Sequence, residues 1–109
     1  MRETSKTFRA RISETQERMT AHVCTIPSAT VTQAIAASGS DAVIIDMEHG
    51  AVDFGTAHAK IAATQGFACA PLVRIAKNED AHVKRVLDLG AEGIVFPLIR
   101  TAEDAARAV

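Results

Sequence analysis

Asp46, Glu48 and His49 arrive within four positions, directly after the apolar run Ala42–Ile45, in the segment DAVIIDMEHG (Asp41–Gly50). An imidazole beside carboxylates is a candidate general base, because it changes charge near neutral pH and a carboxylate neighbour fixes its tautomer and strengthens it as a base. Strand residues three apart point to opposite faces, so Asp46 and His49 meet only if the chain turns where the strand ends. Arg74 closes a second apolar segment, Pro71-Leu72-Val73-Arg74-Ile75. Its guanidinium at the same edge would bind a carboxylate through two parallel bonds or stabilise an oxyanion. A plain salt bridge to Asp46 or Glu79 is the competing use. Asp88, in Leu87-Asp88-Leu89-Gly90, falls near a helix end where negative charge is unfavourable by roughly a few tenths of a kcal/mol. It calls for a partner, and a surface Arg85 would suffice.

The other candidates are blander. His22 lies at a strand start, and His58 and His82 lie on helix surfaces, so each reads as solvated or structural. Cys24 and Cys69 do not make a disulfide framework and read as small buried hydrophobes. No Gly-rich phosphate loop, zinc-finger spacing or nucleophile elbow is present. Asp53-Phe54-Gly55 matches a kinase tripeptide with nothing else to support it.

The positioning elements follow from punctuation and periodicity. The first twenty residues form a polar N-terminal tail with a short helical pattern around Phe8–Arg11. Ala21–Thr25 is a strand closed by Pro27; Ser28 caps a helix over Ala29–Ser38, which Gly39 ends. Asp41–Asp46 is a strand apolar enough to be buried on both faces. Asp53 caps a helix through Thr56–Gln65, ended by Gly66. Ala68–Ile75 is the third strand, Asn78 caps a helix over Glu79–Leu89, and Glu92–Phe96 is the fourth strand. Thr101 opens a last helix with Glu103 and Asp104 in its first turn, where acids suit the dipole. This βαβαβαβα order is α/β and implies a parallel sheet with right-handed crossovers. Ligands of such sheets bind at the C-terminal edge, where Asp46, His49 and Arg74 are expected. The segments SGSDAVIID and LGAEGIVFP echo one another, as strands of a (β/α)8 barrel often do. Four units fill about half of a barrel of roughly 250 residues. An open flavodoxin-like sheet and part of something larger both fit the pattern.

A chain of 109 residues, 48% hydrophobic and 23% charged, has the make-up of one ordinary globular domain rather than a disordered segment. Its formal net charge of −1 argues against a broad nucleic-acid or anionic-membrane footprint. No apolar run approaches a membrane span, and the N-terminus lacks the apolar core of a signal peptide. The expected location is cytoplasmic.

Taken in order, IIDMEHG, a helix, PLVRI and a helix ending in LDLGAEGIVFP resemble the HpcH/HpaI aldolases, metal-dependent class II enzymes typified by 4-hydroxy-2-oxoheptanedioate aldolase and 2-dehydro-3-deoxyglucarate aldolase. The likeness runs from about Val23 to Val109, so residues 21–109 read as a partial aldolase-like (β/α) domain, the first half of a (β/α)8 barrel. The resemblance implies reversible cleavage of 2-oxo-4-hydroxy acids to pyruvate and an aldehyde, a divalent metal ion (Mg, Mn or Co), small-molecule partners and a homo-oligomer. It implies that His49 is the base, that Asp46 belongs to the same hydrogen-bonded cluster, and that Arg74 contacts the pyruvate oxygens and stabilises the transition state. It also implies that Asp88 raises the basicity of the histidine and that Glu48 lies near the metal-bound water. The family's metal ligands, a Glu and an Asp, would fall beyond Val109, so the 109-residue chain by itself is expected to be inactive or nearly so. Val23-Cys24-Thr25-Ile26-Pro27-Ser28 stands where better-known members carry a Trp-containing segment, which leaves the aldehyde open. The alternative is a non-catalytic half-barrel remnant or a dimerising interaction module.

Overall fold

Runs of Val, Ile and Ala bounded by Pro, Gly and Ser become four short strands in the computed structural model, which describes residues 6–109. They are β1 (Ala21–Cys24), β2 (Ala42–Asp46), β3 (Ala70–Arg74) and β4 (Gly93–Val95). All three pairings are parallel and the order across the sheet is β1-β2-β3-β4. A flavodoxin-like sheet reverses its order at a switch point. Consecutive order is that of a (β/α)8 barrel wall, and it removes the open-sheet alternative.

The helices are α1 (Phe8–Glu14), α2 (Ala29–Ala37), α3 (Phe54–Ala62), α4 (Asp80–Asp88) and α5 (Ala102–Ala108). Side chains of Ser28, Asp53 and Thr101 accept the backbone N–H three residues on and so cap α2, α3 and α5. Asn78 does not cap α4. The helix starts one residue later than its spacing suggests, Glu79 holds the cap position without a side-chain bond, and Asn78 Nδ2 instead donates to the Asp104 carbonyl at 3.1 Å. That bond ties the β3–α4 loop to α5.

Successive strand residues face opposite ways. One face, with Cys24, Val43, Ile45 and Val73, packs on α2, α3 and α4 through Ala36, Ala57, Ile61 and Val86. The other face carries Val23, Ile44, Leu72 and Val95, which stay partly or largely exposed, with Val23 at 56%. Asp46 and Arg74 end this second face.

Of the polar N-terminal tail, residues 1–5 lie outside the described residues, and α1 is tied to the sheet's N-terminal edge. From α1, Arg11 donates to the Asp41 carboxylate at 2.8 Å and to the Ala68 carbonyl at 2.6 Å. Among the described residues, no helix is long and apolar enough to cross a membrane.

Candidate active site at the C-terminal edge of the sheet

Register decides the centre of the site. Asp46 and Arg74 are Cα partners at the ends of β2 and β3, so their side chains leave neighbouring strands on the same face at the same level. The Asp46 carboxylate is 0% exposed. Arg74 grips it as a fork, with Nε to Oδ1 at 3.1 Å and Nη2 to Oδ2 at 2.5 Å. Oδ1 also accepts the backbone N–H groups of Glu48 (2.9 Å) and His49 (3.0 Å), which folds the chain into a turn where β2 ends. The Arg74 bond is the main reason that Asp46 is held down from 3.8 to about 2; burial opposes it, and the His49 and Glu48 N–H groups add to it. The same bond raises Arg74 above the ordinary guanidinium value.

The turn leaves no room at Gly50. A Cβ there would run into the Asp46 carbonyl and lie 2.9 Å from the Thr25 carbonyl. The end of β1 thus presses against the turn that carries His49.

His49 projects outward, with 68% of its side chain exposed. Its Nδ1 is 3.2 Å from Arg74 Nη2 and 3.8 Å from Glu48 Oε1, and Glu48 Oε1 is 3.5 Å from Arg74 Nε. A guanidinium only donates, so in this arrangement Nδ1 accepts and the ring hydrogen is assigned to Nε2. The sequence suggested that Asp46 would hold the imidazole. The structure has Asp46 holding the main-chain N–H of His49, while the ring faces Arg74 and Glu48. Asp46 ends the sheet face opposite the helices, and its carboxylate oxygens are engaged by the fork and the turn.

Asp88 is not brought to this cluster. It is the last residue of α4, exposed, and the chain after it delivers the Glu92 N–H to the Pro71 carbonyl at the start of β3 (2.8 Å). A crossover helix runs antiparallel to its strands, so its C-terminus lies at the opposite edge from His49. Asp88 therefore makes no bond to His49 within one chain. Nor does it pair with Arg85, whose guanidinium lies 4.8 Å over the Phe54 ring. The remaining histidines have local surroundings: His22 Nδ1 meets Ser40 Oγ at 2.7 Å, His82 stacks on Phe54, and His58 is exposed.

Two residues carry more than their sequence positions suggested. Glu48 joins both Arg74 and His49 directly; its signal was a place two residues after Asp46 in the same turn. Lys60 on α3 is 0% exposed, where a lysine is rarely found.

Among the described residues, no group of three or more His, Cys, Asp or Glu is placed to hold a metal ion. The acids of this cluster are engaged by Arg74 and the backbone. These residues do not fit a divalent ion by themselves.

The model of the HpcH/HpaI aldolase/citrate lyase family matches residues 24–109. The 5-keto-4-deoxy-D-glucarate aldolase of Salmonella paratyphi A is 37% identical over 84 residues, 77% of this chain and 33% of that protein. The hydroxypyruvate/pyruvate aldolase of Paraburkholderia phytofirmans is 38% identical over 84 residues, 77% of this chain and 32% of that protein. Among solved structures, an HpcH/HpaI aldolase/citrate lyase family protein from Burkholderia cenocepacia J2315 superposes with a TM-score of 0.84 at 33% identity, over 91% of this chain and 39% of that one. The chain thus spans about a third of the length of the curated relatives it matches. With a family match over most of its residues and the corresponding part of the fold, the chain belongs to the HpcH/HpaI aldolase/citrate lyase family.

Proposed function

We propose that residues 24–109 supply the base-and-arginine part of an active site that cleaves a 2-oxo-4-hydroxy acid into pyruvate and an aldehyde. The observation that carries this reading is a cation locked by Asp46 and standing 3.2 Å from an exposed imidazole. In cleavage, the 4-hydroxyl proton passes to His49 and the C3–C4 bond breaks. Its electron pair enters the enolate of pyruvate, and the aldehyde leaves. Arg74 faces the developing enolate and carboxylate oxygens with Nη1, which has no protein partner among the described residues. The enolate then takes a proton at C3. The family likeness implies a divalent ion, for which the described residues offer no set of ligands.

His49 needs an unprotonated Nε2 for this duty, so its ring hydrogen must sit on Nδ1. Arg74 disfavours that tautomer and Glu48 favours it, because Glu48 Oε1 can accept from Nδ1. When the exposed ring turns from Arg74 Nη2 toward Glu48 Oε1, Nδ1 donates to Glu48 and Nε2 becomes the basic atom. Glu48 acts here as a positioning residue.

A chimera tests the reading: residues 24–109 replace the matching stretch of the Salmonella aldolase, and pyruvate release from 4-hydroxy-2-oxo acids is followed by coupled reduction. Cleavage should survive the graft. His49→Ala should then lower kcat by about 10²–10⁴-fold, and Arg74→Lys by about 10²-fold or more, since a point charge does not replace the fork. An inactive but folded chimera, or a His49→Ala chimera with unchanged kcat, overturns the proposal.

A further inference from the structure

On the helix-packed side of the sheet, below the same edge, a buried amine meets a buried thiol. Lys60 Nζ is 3.3 Å from Cys24 Sγ and donates to the Ile26 carbonyl at 2.5 Å. Lys60 is 0% and Cys24 3% exposed, and Cys24 is a free thiol. Helical side chains lean toward the helix N-terminus. For α3 that is the C-terminal edge of the sheet, and Lys60 reaches from the last turn to the end of β1. No ion pair involves Lys60 among the described residues, whereas most buried lysines are held by an acid. Cys24 shares an apolar cluster with Ala36, Val43, Val31 and Ile35.

We propose that Cys24 and Lys60 form an oxidative modification site, in which dioxygen joins the thiol and the amine through a single bridging oxygen atom. The S–H bond, one N–H bond and the O–O bond break. An S–O and an O–N bond form, and the second oxygen leaves as water with the hydrogens lost from sulfur and nitrogen. Sulfur and nitrogen each give up two electrons, and dioxygen takes all four. Two equivalents of a dithiol, each oxidised to its disulfide, supply the four electrons and four hydrogens that restore thiol and amine, and the bridging oxygen leaves as water. The bridge would staple the end of β1 to α3. Because the Thr25 carbonyl abuts Gly50, the staple would stiffen the turn that presents His49.

The test is intact-mass spectrometry of the purified chain after exposure to air, against a sample kept anaerobic with dithiothreitol. The expected result is a gain of one oxygen less two hydrogens, reversed by dithiothreitol, with a proteolytic map linking the peptides that contain Cys24 and Lys60. Cys24→Ser and Lys60→Met should each abolish the gain, and Cys69→Ser should keep it. No such gain after prolonged aeration overturns the proposal. So does a gain of whole oxygen atoms at Cys24 that persists in Lys60→Met, which is thiol oxidation alone. If either variant fails to fold, the linked peptides of the wild-type chain decide the matter.

Discussion

Replacing Asp46 with Asn separates the ion pair from the turn it supports. An asparagine Oδ1 can still accept the Glu48 and His49 N–H groups, but its amide NH₂ then faces Arg74 Nη2, donor against donor. In the native protein Asp46 is held down from 3.8 to about 2, chiefly by Arg74, which corresponds to about 2.5 kcal/mol of stability. Breaking a buried pair by removing one partner costs about 3–5 kcal/mol. Arg74 keeps 28% of its side chain exposed and can turn partly to water, so the lower figure applies and Asp46→Asn should lose about 3 kcal/mol at pH 7. The pH dependence has a definite sign. Asp46 is more acidic folded than unfolded, so its contribution is complete above its unfolded value of 3.8 and drains away as pH falls toward about 2. Asp53 and Asp104 are also held down by cap and backbone bonds, but equally in both proteins, and they cancel in the difference. Urea unfolding followed by circular dichroism across this range should show the gap between native and Asn proteins narrowing with acid at constant m. A gap below about 1 kcal/mol at pH 7, or one that does not shrink in acid, would refute the claim that a desolvated ion pair anchors the site.

Gly50→Ala should destabilise the chain by about 3 kcal/mol, because the obstructing atoms are the Asp46 and Thr25 carbonyls and backbone cannot step aside; thermal unfolding measures this, and a neutral Ala variant would mean that the turn is loose. Arg11→Ala removes three bonds to Asp41 and Ala68 and should cost about 1–3 kcal/mol, with amide exchange accelerating through α1 before the strands; unchanged protection of α1 would contradict this anchoring. Ile45→Ala should cost about 2–5 kcal/mol and Ile44→Ala clearly less, since Ile45 is 0% exposed against helices and Ile44 lies on the open face; equal losses in urea unfolding would contradict the assigned faces.

The alternation of elements was legible because each apolar run is fenced by Pro, Gly or a capping residue. Ser28, Asp53 and Thr101 cap as read. Asn78 does not, because an eligible side chain caps only if the first helical turn starts at the right residue, and that start is set by packing. Strand order was not legible, since pairing is decided by crossovers rather than by any one segment. His49 and Arg74 meet because both follow buried strands that end at one edge, which apolar runs do announce. The partner of the imidazole was hidden in a turn whose hydrogen bonds reach main chain rather than side chain. Asp88 was given its role by family likeness, and the direction of α4 carries it to the far edge. Ala57, Lys60, Ile61 and Thr64 are spaced i, i+3, i+4, i+7, which is a core stripe. The spacing placed Lys60 inside, and only its charge argued otherwise.

The two-residue period of the strands explains why the arginine and the histidine are held so differently. Cys24, Val43, Ile45 and Val73 face the helices and fix the sheet. The alternate positions, Ala42-Ile44-Asp46 and Ala70-Leu72-Arg74, run up the other face and end in the ion pair. A slip of one residue in the β2–β3 register would put the whole apolar set on the wrong face, so the packing that stabilises the sheet also fixes Asp46 opposite Arg74. The guanidinium is therefore positioned by the core itself. His49 is positioned only by the turn that Asp46 organises, and its ring is largely in solvent. A fixed cation suits a partner whose charge always sits on the same oxygens. A base that must take a proton and later return it gains from a ring able to exchange Arg74 for Glu48 at Nδ1, and that freedom is available because the ring lies outside the strand.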